Sequence, residues 1–175
     1  MDYHHLSFGD SSFDGVYTIE TFVHATDPRQ VLEGFFRVLK PGGSLSLYEY
    51  DHTDPSTAPR HLRISMGQVN KYAAMPTNVH EGVLLHMLEE AGFQDILIED
   101  LSANIKPMLR LFFVLAIIPY LFIKLFGLEP WFVNTVAGVG AYLGNRRGLW
   151  RYIAVTARKP PSASDSSVSL GKKAQ

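Results

Sequence analysis

The sequence predicts an α/β fold with a parallel sheet, and two observations in residues 1–103 point to that class. Short apolar runs of strand length alternate with segments whose apolar residues recur at helical spacing. The connections between them are short, as in strand–helix–strand units with a right-handed crossover. The chain has 175 residues, 46% of them hydrophobic, which is enough to form a core. It has no cysteine, and a formal net charge of −1 argues against a nucleic-acid partner.

The first predicted strand is Phe13 to Ile19, an apolar run between polar residues that is typical of a buried parallel strand. A helix is predicted to begin at Asp27 and Pro28, because aspartate caps helices and proline is favoured in their first turn. Lys40 is predicted in the last turn of this helix, which the following Pro-Gly-Gly ends.

The second predicted strand covers residues 44–50, where leucines alternate with serines before an aromatic and acidic end. A helix is predicted at 60–75, and a firmer one from Val83 to Ala91 ends at Gly92. Residues 93–100 are the third predicted strand.

The sequence then changes character, because residues 108–128 are almost entirely apolar and 131–143 continue in the same way. A last strand is predicted in WRYIAVTARK, and the serine-rich tail after it is predicted to be disordered. The predicted parts are residues 1–103, an apolar helical segment at 104–147, the last strand at 148–159 and the tail at 160–175.

Carboxylates and aromatic side chains stand together where the first two predicted strands end. The first strand ends in residues 19–22 (IETF), and the second ends in residues 48–51 (YEYD). Ligands of parallel α/β sheets bind at the carboxyl ends of the strands. The sequence therefore predicts a functional site at this edge.

Three motifs occur in order between residues 13 and 54: FDGVYTIE followed by HA, then RVLKPGG, then YEY followed by TD. They resemble the class I S-adenosylmethionine-dependent methyltransferases, and within these the sterol 24-C-methyltransferase-like branch. RVLKPGG marks the superfamily, and the other two motifs narrow the resemblance to the branch. The resemblance covers residues 2–100, and the last predicted strand fits the antiparallel seventh strand of that fold.

The resemblance implies a Rossmann-like sheet of which this chain holds strands 4 to 7, with strands 4 to 6 in residues 1–103 and an apolar helical insertion before the last strand. The first three strands of the family and its glycine-rich loop have no counterpart in the sequence. We therefore expect a chain that lacks the N-terminal cofactor-binding half. Leu6-Ser7-Phe8 also departs from the family's Leu/Met-Pro-Phe.

The resemblance implies S-adenosylmethionine as the cofactor. By its distance from Phe8, Asp2 would accept a hydrogen bond from the adenine amino group, and Tyr3 would lie beside the ring. Ile19 and Glu20 complete the predicted cofactor-binding residues.

Methyl transfer to an alkene carbon requires stabilisation of a carbocation and then a base that removes a proton. The predicted catalytic residues are Glu20, His24 and Glu49. Aromatic faces stabilise cations, and the predicted substrate-binding residues are Phe22, Tyr48 and Tyr50. These residues also have alternative interpretations without a catalytic role: Glu20 caps the next helix or pairs with a neighbouring residue, His24 is a packed loop histidine, and Tyr17 is a core residue.

The other histidines are predicted to be scattered on the surface, and no metal site is expected. Their spacing on the predicted helices is not that of metal ligands. These residues are His4, His5, His52, His61, His80 and His86.

The apolar segment is predicted to form a helical hairpin that lies in a membrane interface or caps a lipid pocket. Its charge-free run from Leu111 to Ile123 is shorter than the roughly 20 residues of a membrane span. A last strand that returns to the sheet also requires an even number of crossings. The flanking residues Arg110, Lys124, Arg146 and Arg147 would extend toward headgroups. A buried helix and a single transmembrane helix remain the alternatives.

The resemblance and the apolar segment together predict methyl transfer from S-adenosylmethionine to a sterol or related isoprenoid lipid, at an intracellular membrane such as the endoplasmic reticulum. For the truncated chain alone, both activity and inactivity stay open. The alternative is a non-catalytic fragment that binds a lipid or a partner. A nicotinamide dehydrogenase is disfavoured because G-x-G-x-x-G is absent. A homo- or hetero-oligomer is expected to cover the exposed strand edge of the sheet.

Overall fold

The computed structural model of the protein describes residues 2–54, 56, 57, 59, 79, 80 and 82–162. The helix predicted at 60–75, and all of the predicted disordered tail beyond residue 162, lie outside these residues.

Four strands and four α-helices make up the described chain. In chain order they are β1 (Phe13–Ile19), α1 (Pro28–Val38), β2 (Leu39–His52), α2 (Val83–Glu90), β3 (Gln94–Asp100), α3 (Ser102–Leu125), α4 (Val133–Arg146) and β4 (Trp150–Arg158). Short 3-10 turns lie at Phe22–His24 and Glu129–Trp131.

The strands form one sheet in the order β1-β2-β4-β3. β1 and β2 are parallel, with Ile19 opposite Tyr48. β4 is antiparallel to β2, because backbone hydrogen bonds join Gly43 to Lys159 at one end and Thr53 to Leu149 at the other. The prediction of an α/β fold with an antiparallel last strand is confirmed.

The chain divides into two compact units, and the first consists of residues 1–48, 82–99 and 154–175. In this unit Asp27 caps α1 by accepting a hydrogen bond from Gln30 N at 3.1 Å, as predicted. The predicted end of α1 is wrong: the helix ends at Val38, and Lys40 belongs to β2. The physical reason is Pro41, since the residue before a proline disfavours the helical conformation.

Gly43 lies where two backbone segments of this unit approach closely. A Cβ atom added there would lie 2.8 Å from the Lys40 carbonyl oxygen and 3.1 Å from that of Asp14. Real Cβ contacts are longer than the first of these distances, so the last glycine of RVLKPGG is required by packing.

The second unit consists of residues 49–81 and 100–153, and an antiparallel pair of helices, α3 and α4, dominates its described part. The Phe113 ring stacks on the Tyr142 ring at a centroid distance of 4.4 Å. α3 runs through Pro107 and Pro119 and is long and apolar enough to cross a membrane by length and composition, with 11% of its most apolar stretch buried. The predicted alternative of an ordinary buried helix is therefore wrong.

Candidate functional site

The loop before β1 begins with an ionised carboxylate. The carboxylate of Asp2 accepts hydrogen bonds from His4 N at 2.9 Å and His4 Nδ1 at 2.8 Å. The backbone N–H of His4, followed by its ring, lowers the pKa of Asp2 to about 2. The side chain is 60% exposed, so acceptor positions on this carboxylate remain open to a ligand.

His4 connects this loop to the turn before α1. Its Nε2 accepts a hydrogen bond from Thr26 N at 3.2 Å, so its Nδ1 carries the hydrogen that is donated to Asp2. Its ring also stacks on Tyr3 at 4.8 Å. His4 was predicted to be a surface histidine, and this is wrong, because its side chain is only 14% exposed.

Glu20 directly follows β1 and has a strained backbone conformation. Its φ angle is 51°, a left-handed value that is uncommon for residues other than glycine and that is found preferentially at functional sites. Its backbone N donates to Tyr48 O at 2.8 Å, and the Tyr3 hydroxyl donates to Thr21 O at 3.3 Å. The structure thus brings the predicted cofactor-binding residues Tyr3 and Glu20 to the same end of β1, where Ile19 is also exposed.

The short 3-10 turn after β1 contains two predicted site residues with different exposure. Phe22 is 2% exposed and belongs to the core, so its ring has no exposed face for a substrate. His24 is exposed at the end of the same turn. The interpretation of Tyr17 as a core residue is wrong, because this side chain on β1 is 74% exposed.

The end of β2 separates its predicted residues over the two faces of the sheet. Side chains alternate along a strand, and Glu49 is buried while Tyr48 and Tyr50 are half-buried. Glu49 therefore does not share a face with the two tyrosines. The predicted group of Glu49, Tyr48 and Tyr50 is not brought together on one surface.

A cluster that the sequence did not predict lies in the second unit around β2 and β4. Arg151 donates to the buried Asp51 carboxylate through Nη2 at 2.5 Å and Nε at 3.2 Å. The Tyr50 ring meets Trp150 and Tyr152 edge to face at 5.0 and 5.3 Å. A charged residue inside the otherwise apolar WRYIAVTA strand is the sequence feature that could have indicated a buried carboxylate opposite it.

His52 is buried next to this cluster. It is 5% exposed, and in the part of the chain that the structure describes its Nε2 has no hydrogen-bond partner. Burial lowers the pKa of His52, although the charge of Asp51 opposes this effect. The predicted surface position is therefore wrong for His52. The residues His5 and His86 are exposed as predicted, and His61 lies outside the described chain.

The chain is similar to the class I S-adenosylmethionine-dependent methyltransferases. Residues 1–47 match a family model described as a methyltransferase domain. An S-adenosyl-L-methionine-dependent Diels-Alderase of Talaromyces variabilis is 41% identical over 166 residues, which are 91% of this chain and 56% of that protein. The sterol 24-C-methyltransferase of Aspergillus fumigatus is 40% identical over 104 residues, 58% of this chain and 27% of the enzyme. The chain thus spans about half, or less, of the length of these relatives.

Two solved structures share the fold. The crystal structure of the 4+2 cyclase SpnF has a TM-score of 0.61 at 24% identity and covers 93% of this chain and 55% of its own. That of geranyl diphosphate C-methyltransferase from Streptomyces coelicolor A3(2) has a TM-score of 0.66 at 13% identity and covers 91% of this chain and 50% of its own. The predicted resemblance is confirmed at the level of the class, and the sterol branch stays a prediction.

Proposed function

We propose that the chain belongs to an S-adenosylmethionine-dependent enzyme that methylates a sterol or a related isoprenoid lipid. The observation that carries this proposal is the loop of Asp2 and Tyr3, which a hydrogen bond from Tyr3 to Thr21 holds against the strained end of β1. Ligands of parallel sheets bind at such strand ends. The 40% identity to a sterol methyltransferase supports the choice of acceptor.

The residues present fit the adenine side of this cofactor. Asp2 is ionised and exposed and can accept a hydrogen bond from an amino group, and Ile19 offers exposed apolar surface. S-adenosylmethionine, when bound, supplies an electrophilic methyl group. Glu20 and His24 are exposed polar side chains after β1 and would stabilise positive charge on the acceptor and accept its proton.

Isothermal titration calorimetry with S-adenosylhomocysteine tests cofactor binding. We expect Asp2→Asn to weaken binding about tenfold or more, because hydrogen bonds to charged groups contribute about 1.5–3 kcal/mol. The matched control Asp95→Asn, on β3, should bind like the parent chain. Absence of binding to this chain, together with binding to a version extended upstream, would favour the alternative of a non-catalytic lipid- or partner-binding fragment.

A second candidate function is cyclisation of a polyene, and one observation favours it. The similarity to the Diels-Alderase covers 91% of the chain, whereas the similarity to the sterol methyltransferase covers 58%. Such a cycloaddition forms two carbon–carbon bonds and releases no atom. Incubation with methyl-labelled cofactor separates the two functions, since methyl transfer labels the product and cyclisation leaves the cofactor unconsumed.

We also infer that the enzyme contacts a membrane through α3 and the turn before α4. Trp131 at this turn is 83% exposed, and Leu125 is 74% exposed. Flotation with neutral phosphatidylcholine vesicles tests this contact. We expect Trp131→Ser to reduce binding severalfold, whereas Trp131→Phe should retain most of it, and equal binding of both variants would contradict the inference.

A further inference from the structure

We propose that a groove at the base of the α3–α4 pair binds the phosphate of anionic phospholipids. The proposal deepens the membrane contact inferred above and rests on it. The groove has a cavity volume of about 340 Å³ and lies where the first turns of α3 meet the last turns of α4. Its lining residues are Lys106, Leu109, Arg110, Tyr142, Asn145 and Arg146.

Three cations converge on this groove. Lys106 and Arg110 are one turn apart on α3 and share a face, and Arg146 faces the groove from α4. Within the described residues none of the three forms an ion pair with a carboxylate. The groove therefore holds positive charge that an anionic ligand can neutralise.

Two acidic residues of the same unit, Asp100 and Glu129, accept their hydrogen bonds from groups other than the three groove cations. Asp100 accepts a hydrogen bond from Ser102 N at 2.8 Å, and the Ser102 hydroxyl and N–H, with smaller contributions from Arg151 and Lys106, lower the pKa of Asp100. Glu129 pairs with Lys124 at 2.8 Å beyond the other end of α3. Positive charge is thus concentrated at the base of the helix pair, while the opposite end is neutralised.

The groove is preorganised for phosphate. The Arg146 guanidinium lies 5.9 Å from the centroid of the Tyr142 ring, which is itself stacked on Phe113. Guanidinium groups bind phosphate oxygens through paired hydrogen bonds. The Asn145 amide nitrogen donates one hydrogen to Trp150 O at 3.3 Å and has a second hydrogen to donate. These groups have the charge and the donors that a phosphate monoester or diester requires.

The position of the groove favours a lipid over free phosphate. Exposed apolar side chains, among them Leu111, Leu115 and Phe122, cover α3 beyond Arg110. From Arg110 to Lys124 the helix rises about 21 Å, which exceeds one leaflet of the roughly 30 Å hydrocarbon core but not the whole core. When the turn before α4 lies in one leaflet, the groove is at the depth of the headgroups.

Vesicle binding of the full chain tests the proposal. Neutral phosphatidylcholine vesicles are compared with vesicles that contain about 30% phosphatidylserine, chosen to give a negative surface charge. We expect tighter binding to the anionic vesicles and a loss of about 25-fold in Arg110→Gln/Arg146→Gln, because each basic residue near such a surface contributes about 1 kcal/mol, or fivefold. Binding of this variant to neutral vesicles should be unchanged.

Two controls test whether binding depends on the groove and on a lipid phosphate. Arg158→Gln removes one exposed charge outside the groove. It should weaken binding to the anionic vesicles less than Arg110→Gln alone or Arg146→Gln alone. Inorganic phosphate at constant ionic strength should compete weakly, and full displacement at millimolar concentration would identify free phosphate as the ligand instead.

Equal binding of parent and double variant to anionic vesicles would overturn the proposal. Failure of the parent to bind any vesicle would overturn the membrane contact as well, whereas calorimetry with S-adenosylhomocysteine would still report on cofactor binding.

Discussion

Glu20 has a backbone conformation, and His52 a side-chain environment, that residues of their type seldom adopt. Glu20 holds a left-handed backbone conformation at an exposed strand end, and His52 is a buried imidazole with an unpartnered nitrogen among the described residues. Both conditions cost free energy and persist only where the surrounding structure imposes them. Glu20 directly follows β1 and His52 is the last residue of β2, so both lie at carboxyl ends of strands, where ligands of such sheets bind.

His52 makes stability depend on pH. Because burial lowers its pKa in the folded chain, the unfolded chain binds more protons at this site as the pH falls below about 6.5, and stability decreases. We expect His52→Gln to flatten the decrease in unfolding free energy between about pH 6.5 and 5, measured by urea unfolding. His5→Gln, at an exposed position, should leave the slope as it is. Parallel slopes for all three proteins would contradict this assignment.

At the scale of elements, β2 is longer than its apolar pattern indicates because it begins in the glycine-containing turn after α1. It starts at Leu39, and Phe13 of β1 already lies opposite this residue in the parallel ladder. Lys40 in the same turn forms an ion pair with Asp14 of β1 at 2.9 Å. The close approach at Gly43 follows from this pairing.

Gly43→Ala should therefore destabilise the chain. The added Cβ meets backbone oxygens that cannot move without disturbing the β1–β2 ladder, and a loss of about 1–3 kcal/mol is expected. Gly138→Ala is the matched control, since this glycine lies inside α4 with no neighbouring atom within 4 Å. It should raise stability by up to about 1 kcal/mol through helix propensity. Urea unfolding of both variants measures the difference, and a neutral Gly43→Ala would contradict the packing argument.

Local chemistry explains which elements could be predicted. The start of α1 was predicted because Asp27 and Pro28 specify it within a few residues. Arg151 in the last strand could have indicated a buried carboxylate, but not that its partner is Asp51, because the two are 100 positions apart and meet only after β4 returns beside β2. The place of Tyr3 beside an adenine ring stays a prediction, although its hydroxyl contacts Thr21 after β1, whereas the burial of Phe22 depends on tertiary packing.

For the whole molecule, the open side of β1 is the feature with the largest consequence for behaviour in solution. Among the described residues β1 pairs with β2 alone, and Tyr17 and Ile19 on it are exposed. Unpaired strand edges with apolar side chains promote association. We expect Tyr17→Lys to shift the chain toward monomer in light scattering, relative to Tyr17→Phe. A parent chain that is already monomeric at high concentration would contradict this expectation.

The segment from residue 101 to 149 leaves and rejoins the sheet at neighbouring positions, since β3 and β4 lie side by side and Leu101 N donates to Tyr152 O at 2.7 Å. A tight turn could therefore connect the two strands in its place. The entropic cost of closing a loop rises only slowly with its length. The segment between the strands can therefore be lengthened or replaced while the two strands stay as they are. α3 and α4 thus form a replaceable insertion. Grafting them between two antiparallel strands of an unrelated protein would transfer any membrane affinity that they carry.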